Sequence, residues 1–315
     1  MDAKQKYREL CREQETIPIF SKDWWLDAAT GENNWSVVII EENGRIVGAL
    51  PYCSEKKYWF RLIRMPKLTQ KLGPWIKYPE GIKYYDKLSL EKRVMIAIID
   101  NLPKFDWFEQ NFDYTITNWL PFYWKGFNQT TRYTYVIEDL SDLDSVFENF
   151  EHSKRKNIKR AEKIITVKYD LPAKEFYDNH KMTLSKEGKR IVYSYELFKR
   201  IHKACYNQDC GKTIYGVDKN DKIHSALFVI WDKNSAYDLI STIDPDFRNS
   251  GSASLLIREI MKYVSQKTKK FDFEGSMIEP VEQSFRRFGG VQKPYLRISK
   301  VNSRLLRLYR TLKGI

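Results

Sequence analysis

Residues 236–295 run as a β-rich stretch, a small-residue turn, an amphipathic helix, a short apolar stretch and a second helix, and this order constrains the fold more than any other part of the chain. The run 235–242 is built from β-formers and stops at Asp244-Pro245, a turn signal. Arg248-Asn249-Ser250-Gly251-Ser252-Ala253 follows, and Leu256, Ile260 and Tyr263 or Val264 then recur at helical spacing, so a helix begins at the glycine. The first turn of a helix leaves backbone N–H groups without partners, and the helix dipole adds partial positive charge at that end. Together they receive a phosphate. Gly251 and the small residues after it let a diphosphate approach the backbone, and Arg248 offers a charge-assisted contact. Arg248, Asn249, Ser250, Gly251, Ser252 and Ala253 are therefore candidate cofactor-binding residues. The plain alternative is a helix cap of small residues after a turn.

The neighbouring segments narrow the choice. Phe271-Asp272-Phe273-Glu274-Gly275-Ser276 reads as a short buried strand, Phe285-Arg286-Arg287-Phe288-Gly289 ends a helical stretch, and Pro294-Tyr295 opens a last strand. Upstream stand Pro18-Ile19-Phe20-Ser21, Trp24-Trp25-Leu26 and the basic run Arg155-Lys156-Asn157-Ile158-Lys159-Arg160-Ala161-Glu162-Lys163. The R-x-x-G-x-A spacing resembles the acyl-CoA pyrophosphate loop of the GNAT acyltransferases. The order as a whole resembles their FemAB-like branch, also called BioF2-like or type 6 acetyltransferases, with its D-F-x-G-S, F-K-x-x-F-G and P-Y patterns and its R-x-N-I-x-x-A segment. The resemblance spans nearly the whole chain.

The resemblance implies an α/β (α+β) protein of two tandem GNAT-like domains, with mixed, mostly antiparallel sheets flanked by helices. It implies transfer of an acyl group from acyl-CoA (acetyl-CoA) as co-substrate to an amine of a sugar, peptide or cell-envelope precursor. It assigns to Phe285 and Arg286 the stabilisation of charge at the transferred carbonyl, with arginine keeping the charge of the family's lysine but not its point-like geometry. It assigns to Arg155, Lys159 and Arg160 a grip on anionic substrate phosphates; a solvated cationic helix is the alternative. Two rival functions stay open: FemX-like transfer of an amino acid from aminoacyl-tRNA to a peptidoglycan precursor, and non-catalytic binding of nucleic acid or a membrane surface.

Charge agrees with an anionic partner such as CoA, a nucleotide, tRNA or a lipid headgroup. The net charge is +13, and after Glu282 there is no acidic residue, whereas Arg286, Arg287, Lys293, Arg297, Lys300, Arg304, Arg307, Arg310 and Lys313 follow. The N-terminus is charged, and no apolar run approaches the ~18 residues of a membrane span, which points to a soluble cytoplasmic protein. Cys11, Cys53, Cys205 and Cys210 are too scattered for a disulfide framework. His202, Cys205 and Cys210 lack the second ligand pair of a metal site, and no G-x-S-x-G turn supports a serine nucleophile. No metal is expected.

The expected domains are 1–130, shaping the acceptor cleft, and 131–315, holding the acyl-donor site and a basic C-terminal helix. In the first, a helix near 24–29, strands 35–40 and 45–52 joined at Glu42-Asn43-Gly44, an irregular loop 66–81, a helix 90–99 and a strand 114–117 are expected. Trp25, Trp59, Trp75 and Tyr78 either line the cleft or pack. In the second, strands 131–138, 166–169, 213–217 and 224–231 alternate with helices 142–150, 154–163, 173–184 and 195–204. Asp272 and Glu274 stand at strand spacing and would share one face, making Glu274 a candidate general base. The last helix, 303–312, gathers Leu305, Leu308, Tyr309 and Leu312 on one side; docking against the first domain is expected, with approach to tRNA or an anionic membrane surface as the alternatives.

Overall fold

A computed structural model describes residues 2–275 and 277–313. In chain order its elements begin with α1 (Ala3–Glu13), α2 (Asp23–Thr30), β1 (Trp35–Glu42), β2 (Arg45–Lys57), β3 (Phe60–Ile63), β4 (Trp75–Ile76), α3 (Tyr84–Asp100), β5 (Trp107–Asn111) and α4 (Leu120–Trp124). Then come β6 (Asn128–Ile137), α5 (Leu143–Glu148), α6 (His152–Ala161), β7 (Thr166–Tyr169), α7 (Ala173–Lys186), α8 (Tyr195–Asn207), β8 (Gly211–Val217) and β9 (Ile223–Trp231). The chain ends with β10 (Ala236–Ile243), α9 (Ser252–Val264), β11 (Phe271–Asp272), α10 (Glu279–Arg286), β12 (Val291–Val301) and α11 (Arg304–Lys313). Two compact units result: the described residues up to Arg132 joined by those from Pro294 on, and Tyr133–Lys293.

In the first unit the strand order is β1-β2-β3-β5-β12, with β4 on β2. Pairing is antiparallel except between β3 and β5. Successive strand residues point to opposite faces, so Val37 and Ala49 pack with Tyr7 and Leu10 of α1 and Leu26 of α2. Val38 and Leu50 pack on the other side with Val94 and Ile98 of α3 and Phe122 of α4. Helix α1 was not expected because charged residues crowd it. Its Tyr7, Leu10 and Cys11 nonetheless fall on one face, and Asp2 caps it by accepting from Gln5 N. The strand expected at 114–117 is not formed. Asp113 accepts from the Thr115 amide at 2.9 Å and its hydroxyl at 2.7 Å, local bonds that compete with a ladder, and the strand lies earlier, at β5. Trp25 and Trp75 are core residues, and Tyr78 donates to Glu91.

In the second unit the order is β6-β11-β10-β9-β8-β7, antiparallel except for β10 beside β11. Strand β9 is buried along nearly its whole length because helices cover both faces. Ser225 meets Ser252 of α9 on one side; Phe228 meets Phe176 of α7 and Phe198 of α8 on the other.

Two boundaries differ from expectation. The first crossing falls at 132/133. The segment from Pro294, expected in the second domain, belongs to the first unit, because β12 pairs with β5 from Arg297 opposite Asn111 to Val301 opposite Trp107. In both units the one parallel pair is joined through a helix, α3 between β3 and β5 and α9 between β10 and β11.

Candidate active site

The β10–β11 ladder is only two residues long, Ala236 opposite Phe271 and Tyr237 opposite Asp272. Strand β10 then continues to Ile243 paired with β9 alone, while Phe273 turns aside and donates its amide to Tyr135 O at 3.0 Å. A gap opens in the sheet, with Asp238 at its apex. A bulge at Leu239, which has no partner on β9, re-aims the strand so that Ser241 Oγ reaches both carboxylate oxygens of Asp238, at 2.8 and 2.7 Å. Burial pushes the Asp238 carboxyl up to about 6 against the hydroxyl's opposing effect. Sequence reasoning missed Asp238, although an acid inside a strand of β-formers is itself a signal.

The chain leaving β10 makes a short 3-10 turn, Pro245–Ser250, and enters α9 through Gly251. The Ser252 amide donates to Ser250 Oγ at 3.2 Å and the Leu255 amide to Gly251 O at 3.2 Å. Among the described residues the amides of Gly251, Ala253 and Ser254 have no partner. Gly251 has φ +82°, and a Cβ there would lie 2.2 Å from the carbonyl oxygen of Asn157 on α6. The glycine is thus required both by its backbone conformation and by close helix packing. Other turn residues have duties of their own. The Ser252 hydroxyl is shared with Ser225 at 2.5 Å, Arg248 pairs with Glu187 instead of pointing into the turn, and Asn249 is exposed.

Asp272 and Glu274 are both buried but do not alternate along a strand. Strand β11 ends at Asp272, and Glu274 takes φ +61°. The two are joined by the Glu274 amide donating to Asp272 Oδ1 at 2.8 Å, an oxygen that also accepts from Thr134. Gly275 follows at φ +65° with Tyr133 O where a Cβ would be, so the chain leaves β11 pressed against β6. Ser276 lies outside the described residues.

Helix α10 carries Phe285 and Arg286. Phe285 stacks on Phe273, centroids 5.1 Å apart, and Phe288 does so at 5.3 Å. Arg286 is largely exposed, 3.6 Å from Glu282, which accepts from Tyr135 OH. Counted back from Phe288-Gly289, the segment is one residue shorter than F-K-x-x-F-G, so Arg286 falls a step out of register with the family's lysine. On α6, Arg155, Lys159 and Arg160 are exposed; Arg160 donates to Asn157 Oδ1 at 2.6 Å, and Arg155 and Lys159 have no acidic partner among the described residues. The inward cation is Lys154. Its Nζ donates to Ser284 Oγ at 2.8 Å and lies 4.3 Å from the Phe288 ring centre, and burial, then the nearby Arg287, lowers it to about 8.

Other candidates close off. His202 is packed between Tyr206 and Phe228 and burial lowers it to about 4, while Cys205 and Cys210 are buried thiols. Among the described residues no three metal-ligating side chains converge.

The order of strand, glycine turn, helix, short strand and helix anticipated from the sequence is present as β10, Gly251, α9, β11 and α10. Residues 129–276 match the model of the acetyltransferase (GNAT) domain family. Over nearly its full length the fold is similar to those of FemX and of a tandem GNAT protein. The crystal structure of FemX superposes with a TM-score of 0.69 at 12% identity, covering 94% of this chain and 96% of that one. A tandem GNAT protein from the clavulanic acid biosynthesis pathway gives 0.51 at 10%, covering 96% and 95%. The C-terminal domain of a putative lysylphosphatidylglycerol synthetase from Agrobacterium fabrum gives 0.55 at 11%, covering 94% and 92%. A search of curated proteins found no match.

Proposed function

We propose that the chain is an N-acyltransferase that takes an acyl group from acyl-CoA and passes it to an amine of a sugar, peptide or cell-envelope precursor. The observation that carries this reading is the set of unpartnered amides of Gly251, Ala253 and Ser254 where the β10–β11 ladder opens. They suit the CoA diphosphate, and the unpaired edge of β10 leaves room for the pantetheine arm to lie along the strand. In the reaction the amine nitrogen attacks the thioester carbonyl, the C–S bond breaks, and the nitrogen loses a proton. Asp238, buried at the apex with a pKa near 6, accepts that proton at neutral pH; Asp272 and Glu274 hold the facing chain. Phe285, stacked on Phe273, and the exposed Arg286 would act at the transferred carbonyl, and the exposed Arg155, Lys159 and Arg160 would meet the acceptor's phosphates.

The test is thiol release from acetyl-CoA over a panel of amines. The four cysteines are buried and leave the thiol reagent to report on CoA. Asp238→Asn is expected to cut turnover about a hundredfold, and Glu274→Gln less than about tenfold. Loss confined to Glu274→Gln would move the base role there, and no release with any amine would remove the reading.

A second reading, FemX-like transfer from aminoacyl-tRNA, is favoured by one observation. Arg248 is already held by Glu187, which leaves the diphosphate turn without its cation.

A further inference from the structure

We infer that one edge of the first unit, formed by the β2–β3 hairpin tip and α11, docks on an anionic phospholipid surface. This stands independently of the acyl-transfer reading. Strands β2 and β3 are joined by two residues only, with Lys57 opposite Phe60. A two-residue turn calls for left-handed backbone, which Gly, Asn or Asp adopts at little cost. Here the loop is Tyr58-Trp59, with Tyr58 at φ +55°. The rings are 78% and 70% exposed and enter neither core cluster of the unit. Lys56 and Lys57 stand exposed beside them.

Helix α11 makes the second half of the surface. Its expected docking is not seen for the leucine stripe: Leu305, Leu308 and Leu312 recur on one face and are 63%, 60% and 78% exposed. Arg304 and Arg307 accompany them, and the side chains of Tyr309, Arg310 and Lys313 lie outside the described residues.

The two elements meet at Asp106. Its carboxylate accepts from the Arg61 amide at 2.8 Å, and its carbonyl accepts from the amides of Asn302 and Ser303 at 2.9 and 3.4 Å. Between them lies a cleft of about 390 Å³, walled by Ile99, Leu102, Pro103 and Phe105 and edged by Arg61 and Lys104. The local acids are already engaged, Asp106 with Arg61 and Glu55 with Arg64. Lys56, Lys57, Lys104 and Arg304 have no acidic partner among the described residues, so the surface is open to anions.

Tyr and Trp settle at the headgroup level of a bilayer, leucines enter the acyl boundary, and each cation near an anionic surface adds attraction. RNA would use the same cations but gives the leucines nothing to pack against, and this decides for lipid. Contact is peripheral, because no helix among the described residues is long and apolar enough to cross a membrane.

The test is flotation of the full chain with vesicles of phosphatidylcholine alone or with about 30% phosphatidylglycerol. Two double variants accompany it, Tyr58→Ser/Trp59→Ser and Leu305→Ser/Leu308→Ser, with circular dichroism confirming that each folds. The wild type is expected to float with the anionic vesicles only, to be released by high salt, and to lose about tenfold or more in partitioning in either variant. The inference is overturned if the wild type stays behind at both compositions or if both variants float like wild type. A wild-type dimer that both variants dissolve in velocity sedimentation would also overturn it, by giving the patch to a second copy. So would RNA retention that depends on the same substitutions.

Discussion

Asp238 shows how one buried carboxyl makes stability depend on pH. Its pKa near 6 lies above the value of ~4 it has in an unfolded chain. Between those values the folded state binds more protons, so stability falls as pH rises through the window and remains lower above it. Asparagine cannot ionise, so Asp238→Asn should be more stable than wild type by about 3 kcal/mol at pH 7.5 and equal to it near pH 4. Urea unfolding at the two pH values checks this; an equal gap at both contradicts it. Gly251 is the opposite case, a residue fixed by geometry. A Cβ there meets the Asn157 carbonyl oxygen at 2.2 Å on a backbone of φ +82°. Gly251→Ala should lose about 3 kcal/mol in the same measurement. Larger residues at 251 therefore report on folding, and the half-exposed Ala253 is the better place to probe the free amides.

At the scale of elements, legibility followed length and periodicity. Helix α9 was readable because its apolar residues repeat over a long run behind a glycine, and β9 because both faces are apolar. Strand β11 is shorter than its pattern suggests: D-F-E looks like strand alternation, yet two residues pair, and Glu274 turns into left-handed backbone where the chain approaches β6. Lys154 does not stand out from its neighbours Arg155 and Lys159 in the sequence, because helical spacing alone does not say which stripe of a basic helix faces inward. The aromatic stack under α10 was equally hidden, since Phe271, Phe273, Phe285 and Phe288 meet only in three dimensions. That stack, not the exposed ion pair beside it, holds the helix. Phe273→Ala should cost about 3–5 kcal/mol, whereas Arg286→Ala should change stability by less than about 0.5 kcal/mol. Comparable losses from both would place Arg286 in the support of the helix.

For the whole molecule, the tandem α/β architecture is what the family resemblance implies, but the return of the C-terminal strand to the first unit is not legible in the sequence. That return depends on β12 finding β5 at a distance of nearly two hundred residues, which no local pattern encodes. The charge of +13 does not choose between CoA and tRNA, since both are polyanions. The choice rests on whether the amides at the start of α9 take a diphosphate. Isothermal titration of the wild type and Ala253→Glu with CoA and with uncharged tRNA addresses it directly. CoA binding to the wild type, weakened about tenfold or more by the new carboxylate, is the predicted result; tRNA binding to both proteins with CoA binding to neither would contradict it.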